Sequence, residues 1–581
     1  MAEATSSKSI LLRYLRPERR RATLLAVLLL ASIALPLATP QIIRKFIDGA
    51  LDKAPMDGLL RLAVWFLVVS VAAQLISVAT TYVSEQVGWR TTNNLRSDVA
   101  AHALGLDIAW HNTHTPGEMI ERVDGDITAL SNFFSMFVIQ ILGSGLLMIG
   151  ILALTFRESA LMGTVMTVFA LVSLLVMTKL RRIAVPDSTA QRESSANLFG
   201  FLEERLSGVD DVRANGAGHH VMRGFARVSR DLVGRAVKAE KTGVMIWVSS
   251  SVLYGSGLAM ILALSAWLYL RGRISPGTVV LLFQYFGMLD DPLMTIGAQV
   301  KEFQKAGAGI VRIQEMFGLS SAMRDGSSGV PEAGPLGVTF ERVGFAYPDD
   351  DVAVLHDLTL SLRPGEVLGV LGRTGSGKTT IGRLILRLYD VRAGSIRLAG
   401  VDLREANMSE LRKRVGVVTQ DVQLFQGTVR DNLTLFEDGF DDGRITSVLQ
   451  ELGLGNWLGG LPQGLDSELA SGGGGLSAGE AQLLAFARVF LRDPGLVILD
   501  EATSRLDPAT EAVLEHAVDR LLEGRTGILI AHRLRTVHRA DSILILDQGR
   551  VVEHGPREQL ASDRTSRFSS LLAAGIEEVL A

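Results

Sequence analysis

No cysteine occurs in the 581 residues, which excludes disulfides and thiolate metal sites and fits a reducing compartment. Basic residues are not in excess either. The 58 Lys and Arg face 62 Asp and Glu, a formal net charge of −4, so the charge balance offers no basis for binding nucleic acid. No internal repeat or low-complexity tract is evident, so the chain is not built by repetition. What is present is a contrast: mean hydropathy is positive although 21% of residues are charged. Such a mixture arises when a strongly apolar region is joined to an ordinary soluble one, and the length exceeds what one compact domain holds.

Uncharged, mostly apolar runs occupy residues 22–43, 62–84, 127–156, 159–178, 242–270 and, less cleanly, 274–300. Each reaches the ~20 residues that a helix rising ~1.5 Å per residue needs to cross a ~30 Å hydrocarbon layer. The succession predicts an α-helical membrane domain of six spans within residues 1–317, in contact with a lipid bilayer. The first run is too long for a signal peptide, and no small-residue cleavage site with a soluble domain follows it.

Orientation follows from the loops. "RYLRPERRR" (13–21) precedes the first span, and the loops at 88–127 and 179–241 are long and rich in Arg. By contrast, "RE" at 157–158 and "RGR" at 271–273 are minimal turns. Positive-inside counting places the N-terminus, both long loops and the C-terminal half in the cytoplasm, for a multi-pass protein of the cytoplasmic membrane. Arg44, Lys45 and Lys53 fall on the outer side, partly balanced by Asp48, Asp52 and Asp57. The long loops carry helical periodicity with few breakers, so the spans are expected to continue as helices beyond the bilayer.

Asp290 and Asp291 interrupt the last span just before Pro292. Charge at the membrane centre costs ~2.5–3.5 kcal/mol per residue on insertion scales, so these carboxylates are expected to face a wet cavity or a partner cation. One reading is a pathway for small, cationic, amphipathic cargo; the other is a hydrated kink or an interhelical pair.

Residues 318–337 ("GLSSAMRDGSSGVPEAGPLG") are rich in Gly, Ser and Pro and read as a linker. Beyond them, over residues 338–581, short apolar strands alternate with amphipathic helices, the pattern of an α/β domain with a largely parallel sheet.

"VLGVLGRTGSGKTTIGRLIL" is an apolar strand, a glycine-rich loop and a helix. Gly372, four residues, then Gly377, Lys378 and Thr379 fit the spacing of a P-loop (Walker A). Gly377 lets the backbone approach closely, and successive amides with the helix N-terminus receive phosphate. Lys378 would meet the β/γ oxygens and Thr379 would offer a hydroxyl to Mg²⁺. Arg373, Thr374, Gly375, Ser376 and Thr380 complete the candidate nucleotide contacts. In "LVILDEATSRLD", a buried strand is expected to deliver Asp500 to Mg²⁺ through water, with Glu501 placed to polarise the attacking water.

At these residues the sequence resembles a known family. Tyr347 in "FAYP", the P-loop, Gln420 in "VVTQD", "LSAGE" followed by "AQLLAFAR", "LVILDE", "SRLD" and His532 in "IAHRL" stand in the order of ATP-binding cassette (ABC) proteins. With six spans N-terminal to the cassette, the chain looks like an exporter half-transporter of type I architecture, an α-helical membrane domain followed by an α/β P-loop ATPase. The resemblance implies ATP and Mg²⁺ as cofactors and ATP hydrolysis coupled to transport. It also implies that Tyr347 stacks on adenine and that Gln420 contacts Mg²⁺ or the lytic water. His532 would then hydrogen-bond the γ-phosphate and orient Glu501. Coupling helices would lie around "NTHTPGEMIERV" (112–123) and "GVDDVRANGA" (208–217).

The resemblance further implies that Ser477, the amide of Gly479 and the following helix N-terminus bind the γ-phosphate of ATP held by a second half-transporter. An anion suits a helix N-terminus on its own physics. Here the sequence departs from the common "LSGGQ": Ala478 and Glu480 replace Gly and Gln, and Ser471 stands where Glu is usual upstream. Glu480 brings negative charge toward a phosphate and is expected to weaken that site. An intact Glu501 beside a modified signature favours a heterodimer, with a homodimer as the alternative. An ATP-gated channel or a regulatory membrane ATPase would keep the same fold.

Overall fold

The computed structural model describes residues 13–348, 350, 352–500, 508–531 and 537–574. They form two units: residues up to Leu104 together with Pro116–Leu319, and Gly105–Thr115 together with Ser320 onward.

The first unit is helical. Its long elements are α1 (Arg19–Leu51), α2 (Met56–Leu104), α3 (Gly143–Glu158), α4 (Ala160–Ser207) and α5 (Gly218–Leu270), followed by α6 (Pro276–Gly287) and α7 (Asp290–Gly318). The third apolar run begins as the helix Asp126–Met136 and passes through the π-helical turn Phe137–Leu142 into α3. Among the described residues five helices are long and apolar enough to cross a membrane. The sixth apolar run differs from the expectation of one continuous span. It is split into α6 and α7 by a break at Met288 and Leu289.

Burial in this unit is that of a lipid-facing bundle. Leu60, Trp65, Leu67 and Leu75 of α2 are exposed, which costs nothing where hydrocarbon replaces water. The buried centre is made by Leu37, Ile151, Met166, Phe169, Ile261 and Phe286 with their neighbours. Tyr285 is wholly buried, and its hydroxyl donates to the Leu37 carbonyl at 2.9 Å and accepts from Gln41 at 3.1 Å.

The two short turns are fixed by caps. Ser159 begins α4, its hydroxyl accepting from the Met162 amide. Ser275 begins α6 with Pro276 at the first position. Asp48 of α1 accepts from the Ser275 hydroxyl at 2.7 Å and the Gly277 amide at 2.8 Å. A Cβ on Gly277 would sit 2.5 Å from the Arg44 carbonyl oxygen, so only glycine allows this approach. Arg44 itself pairs with Glu158 at 2.5 Å and Asp48 at 3.7 Å.

The second unit contains two sheets. The strands are β1 (Val338–Phe345), β2 (Leu355–Leu362), β3 (Val367–Gly372), β4 (Ala393–Leu398), β5 (Val401–Asp402) and β6 (Val415–Val418). They continue as β7 (Gly427–Thr428), β8 (Glu468–Leu469), β9 (Leu496–Asp500), β10 (Thr526–Ile530), β11 (Ser542–Asp547) and β12 (Arg550–Pro556). The larger sheet has the order β12-β11-β3-β10-β9-β6; β11, β3, β10, β9 and β6 run parallel, and β12 is an antiparallel edge. Alternate residues serve opposite faces: Val367, Leu371, Val497 and Leu499 join one core cluster, whereas Leu368, Val370, Leu496 and Ile498 join the other.

The smaller sheet, β2-β1-β4-β5, is antiparallel, a layer that a largely parallel reading did not contain. Residues after Ser320 are irregular but packed. Leu336 is 1% exposed, and its amide donates to the Gly495 carbonyl. The short helix Ile108–Thr113 belongs to this unit, with Ile108 and Ala109 against the second core cluster.

Candidate nucleotide site

Strand β3 is buried along its whole length, so its C-terminal end delivers the following loop to the sheet edge in one defined place. The loop turns through Gly372 (φ 152°), Gly375 (φ 80°) and Gly377 (φ 100°), all in the region that favours glycine. A Cβ at Gly372 would lie 2.3 Å from the Leu546 carbonyl oxygen, and one at Gly377 2.7 Å from Leu355. The helix α8 (Lys378–Ile385) starts directly from this loop.

Within the loop, Arg373, Thr374, Gly375 and Thr379 are exposed, whereas Ser376, Lys378 and Thr380 are buried. Lys378 folds back over the loop, and its ammonium donates to the Gly372 carbonyl at 2.6 Å and to that of Arg373 at 3.1 Å. The Ser376 hydroxyl is buried without a hydrogen-bond partner. A glycine-lined cradle, an orphaned buried hydroxyl and a positive charge held over it fit a nucleotide phosphate chain.

Tyr347 joins this loop through its hydroxyl, which lies 3.0 Å from that of Thr380 and accepts from Arg383 at 3.1 Å. Its ring stands edge-on to Phe345 and Tyr389, with centroids 5.0 and 5.2 Å away. Tyr389 in turn accepts from the Asn112 amide at 2.9 Å, so the helix Ile108–Thr113 touches the aromatic group beside the loop. This helix begins four residues before the segment expected from sequence, and Val209–Ala214 forms a short helix inside the second expected segment.

Asp500 ends β9, paired with Ile530 of β10, and β10 separates it from β3. Three parallel strands therefore end at one edge, where open α/β sheets hold their ligands. Gln420 is exposed two residues beyond β6, the next strand along. Glu501 and His532 lie outside the described residues.

Ser477 and Gly479 stand elsewhere. Ser477 caps the helix α9 (Ala478–Arg492) in a reciprocal box with Glu480. The Glu480 carboxylate accepts from both the Ser477 amide and its hydroxyl, each at 2.8 Å. Ser477 is exposed and Gly479 buried. Among the described residues no hydrogen bond joins either to the phosphate loop. Gly472, Gly473 and Gly475 just upstream all have positive φ, a backbone reason for the glycine run.

Two family models match this chain: ABC transporter transmembrane region over residues 23–293 and ABC transporter over residues 355–504. The uncharacterized ABC transporter ATP-binding protein YfiC of Bacillus subtilis is 30% identical over 96% of this chain and 93% of its own length. The chain belongs to the ABC transporter family. The fatty acid ABC transporter ATP-binding/permease protein of Mycobacterium bovis is 30% identical, covering 82% of this chain and 75% of that one. An ATP-dependent lipid A-core flippase of Syntrophus aciditrophicus is 29% identical over 95% of this chain and 92% of its own. Among solved structures, a bacterial Atm1-family ABC exporter with ATP bound superposes with a TM-score of 0.77 at 25% identity, covering 96% and 98% of the two chains. This ABC transporter is thus a multi-pass exporter of type I fold that binds nucleotide and couples ATP hydrolysis to transport.

One residue of this ABC transporter's cassette escaped the sequence reading. Arg488 of α9 donates to the Asn432 carbonyl at 2.7 Å and the Gln423 carbonyl at 3.0 Å. It ties the helix that Ser477 caps to the segment following Gln420. Burial pulls its guanidinium below the ordinary value, and neighbouring Arg492 adds to this. The signal was available: a single charged residue inside the mostly apolar "AQLLAFARVF".

Proposed function

We propose that this exporter is one half of a heterodimer that moves an amphipathic substrate out of the cytoplasm by alternating access. The observation that carries the reading is that, among the described residues, Ser477 bonds to Glu480 and to nothing in the chain's own phosphate loop, which leaves the signature to serve the nucleotide of a second cassette. ATP bound between two cassettes closes them, and closure can shift the membrane domain only if ATP binds the closed pair more tightly. Residues 1–317 would form the membrane domain and 338–581 the cassette, joined by 318–337, with the N-terminus and cassette cytoplasmic.

In the ATP site, Tyr347 faces adenine, the loop from Gly372 to Thr380 holds the phosphates, and Glu501, oriented by His532, takes a proton from water. Mg²⁺, when bound, neutralises developing charge on the phosphates. Thr379, Gln420 and Asp500 are the groups that would hold it. Among the described residues no cluster of three His, Asp or Glu side chains offers a dedicated metal cage. None is needed, since Mg²⁺ takes most of its ligands from phosphate and water.

Glu480 supports the asymmetric pairing. Its carboxylate already occupies the Ser477 amide and hydroxyl that would face the partner's ATP. Glu480→Gln keeps a side chain able to close the capping box and removes the charge. A charge at a helix N-terminus carries ~0.3–1 kcal/mol, so ATP-driven association of the pair should tighten ~2–5-fold, read as the ATP concentration for half-maximal closure. Unchanged association would separate Glu480 from the partner's nucleotide.

Two of the relatives are, by their names, a fatty acid ABC transporter and a lipid A-core flippase, which supports a lipid-like, amphipathic cargo. Exposed Asp291 supports a cationic end on it. Transport of a cationic amphiphile should fall several-fold in Asp291→Asn, and unaltered transport would remove the cation preference. ATP-dependent flux against a gradient, in proteoliposomes holding both half-transporters, tests the pump reading; flux that only ever runs downhill would mean an ATP-gated channel.

A further inference from the structure

The break between α6 and α7 has a covalent cause. Pro292 has no N–H to offer the carbonyl of Met288, and its ring crowds the preceding turn. An apolar bundle thereby holds a backbone carbonyl that no N–H of Pro292 can take up, with an acid opening the next helix. The two carboxyls of that helix have different surroundings. Asp291 is exposed, whereas Asp290 is partly buried and lines a cavity of about 20 Å³ between α4, α5, α6 and α7. Among the described residues no hydrogen bond or ion pair reaches the Asp290 carboxylate.

Ser173 of α4 lines the same cavity. It is 4% exposed, and its hydroxyl has no hydrogen-bond partner. Buried hydroxyls are normally satisfied by protein or by an ordered guest. Phe169, Met177, Ser250 and Tyr254 supply much of the remaining wall. The Ser250 hydroxyl is already used, donating to the Ile246 carbonyl at 2.8 Å. Arg181 is also engaged, donating to the Met294 carbonyl at 3.1 Å.

We propose that this cavity binds one small monovalent cation between the Asp290 carboxylate and the Ser173 hydroxyl. Size decides against cargo. A space of about 20 Å³ exceeds the ~10–15 Å³ that a single water requires and is far below an amphipathic molecule. Charge decides for a cation, because an unpaired carboxylate in an apolar bundle is costly. The single carboxylate decides against a divalent ion, since one negative charge balances one positive charge and a divalent ion would leave net charge buried in the bundle. The α7 N-terminus relieves part of the Asp290 charge but leaves the Ser173 hydroxyl unexplained. Broken membrane helices elsewhere hold ions at such interruptions, where half-helix ends and freed carbonyls meet. A bound cation ties α7 to α4 across the break.

Sodium is the probe. Binding of ²²Na⁺ to the full-length chain with its partner half, in nanodiscs and choline chloride buffer, should be saturable. Asp290→Asn should lower the affinity at least tenfold, and Ser173→Ala, which barely perturbs packing, at least threefold. K⁺ should compete and choline should not. Unchanged assembly with the partner half, read by size-exclusion chromatography and thermal unfolding, establishes that both variants fold. The proposal is overturned if no saturable Na⁺ component exists, if Asp290→Asn binds as wild type does, or if only protons occupy the site.

Discussion

Replacing Glu501 by glutamine should slow ATP hydrolysis ~10²–10⁴-fold while ATP binding persists. The expectation rests on strand geometry. Asp500 is the last residue of β9, registered against Ile530 of the neighbouring β10, and β10 in turn pairs with β3. The chain therefore leaves the sheet after Asp500 at the edge where β3 delivers the phosphate loop. Glutamine has nearly the shape of glutamate and can still orient a water, but it cannot accept the proton. Turnover and nucleotide affinity, measured on the assembled pair in the same membrane, separate the two effects. Near-normal turnover would take the base role away from Glu501. Loss of binding in step with turnover would point to a structural defect instead.

Lys378→Ala should weaken ATP binding ~10–10²-fold and lower the stability of the cassette. The side chain is 6% exposed, and its ammonium spans two loop carbonyls, those of Gly372 and Arg373. It braces the loop and concentrates positive charge where phosphate is expected. A hydrogen bond to a charged group contributes ~1.5–3 kcal/mol, so losing one to the phosphates accounts for the range. Truncation also leaves carbonyls in a tight glycine turn without their donor. Titration with a fluorescent nucleotide gives the affinity, and thermal unfolding without nucleotide gives the stability. Unchanged affinity with lowered stability would confine Lys378 to holding the loop.

How far the residues alone revealed this molecule depends on the range of the interaction. The strand, glycine loop and helix were legible because all three are local, and Gly372 and Gly377 take positive φ between β3 and α8. The antiparallel layer was not. Residues 338–362 alternate apolar and polar, which reads as half-buried strand, but whether a strand pairs parallel or antiparallel depends on partners such as Ile396 across from Phe340. Asp290, Asp291 and Pro292 marked a disturbed span. That one carboxyl lines a cavity and the other is exposed follows from how α4 and α5 pack, and no local pattern encodes it. Arg488 and Glu480 were visible as departures from apolarity and from "LSGGQ", yet their bonds to the Gln423 carbonyl and to Ser477 needed coordinates.

By itself, then, the order of residues determined the apolar spans and the phosphate loop, since length, hydropathy and glycine spacing act within about 20 residues. Only the tertiary structure decided which strands share an edge and which polar groups are left without partners. Those outcomes depend on contacts between residues far apart in the chain, such as Phe340 with Ile396, Asp48 with Gly277 and Asn112 with Tyr389, where packing rather than local propensity selects the neighbour.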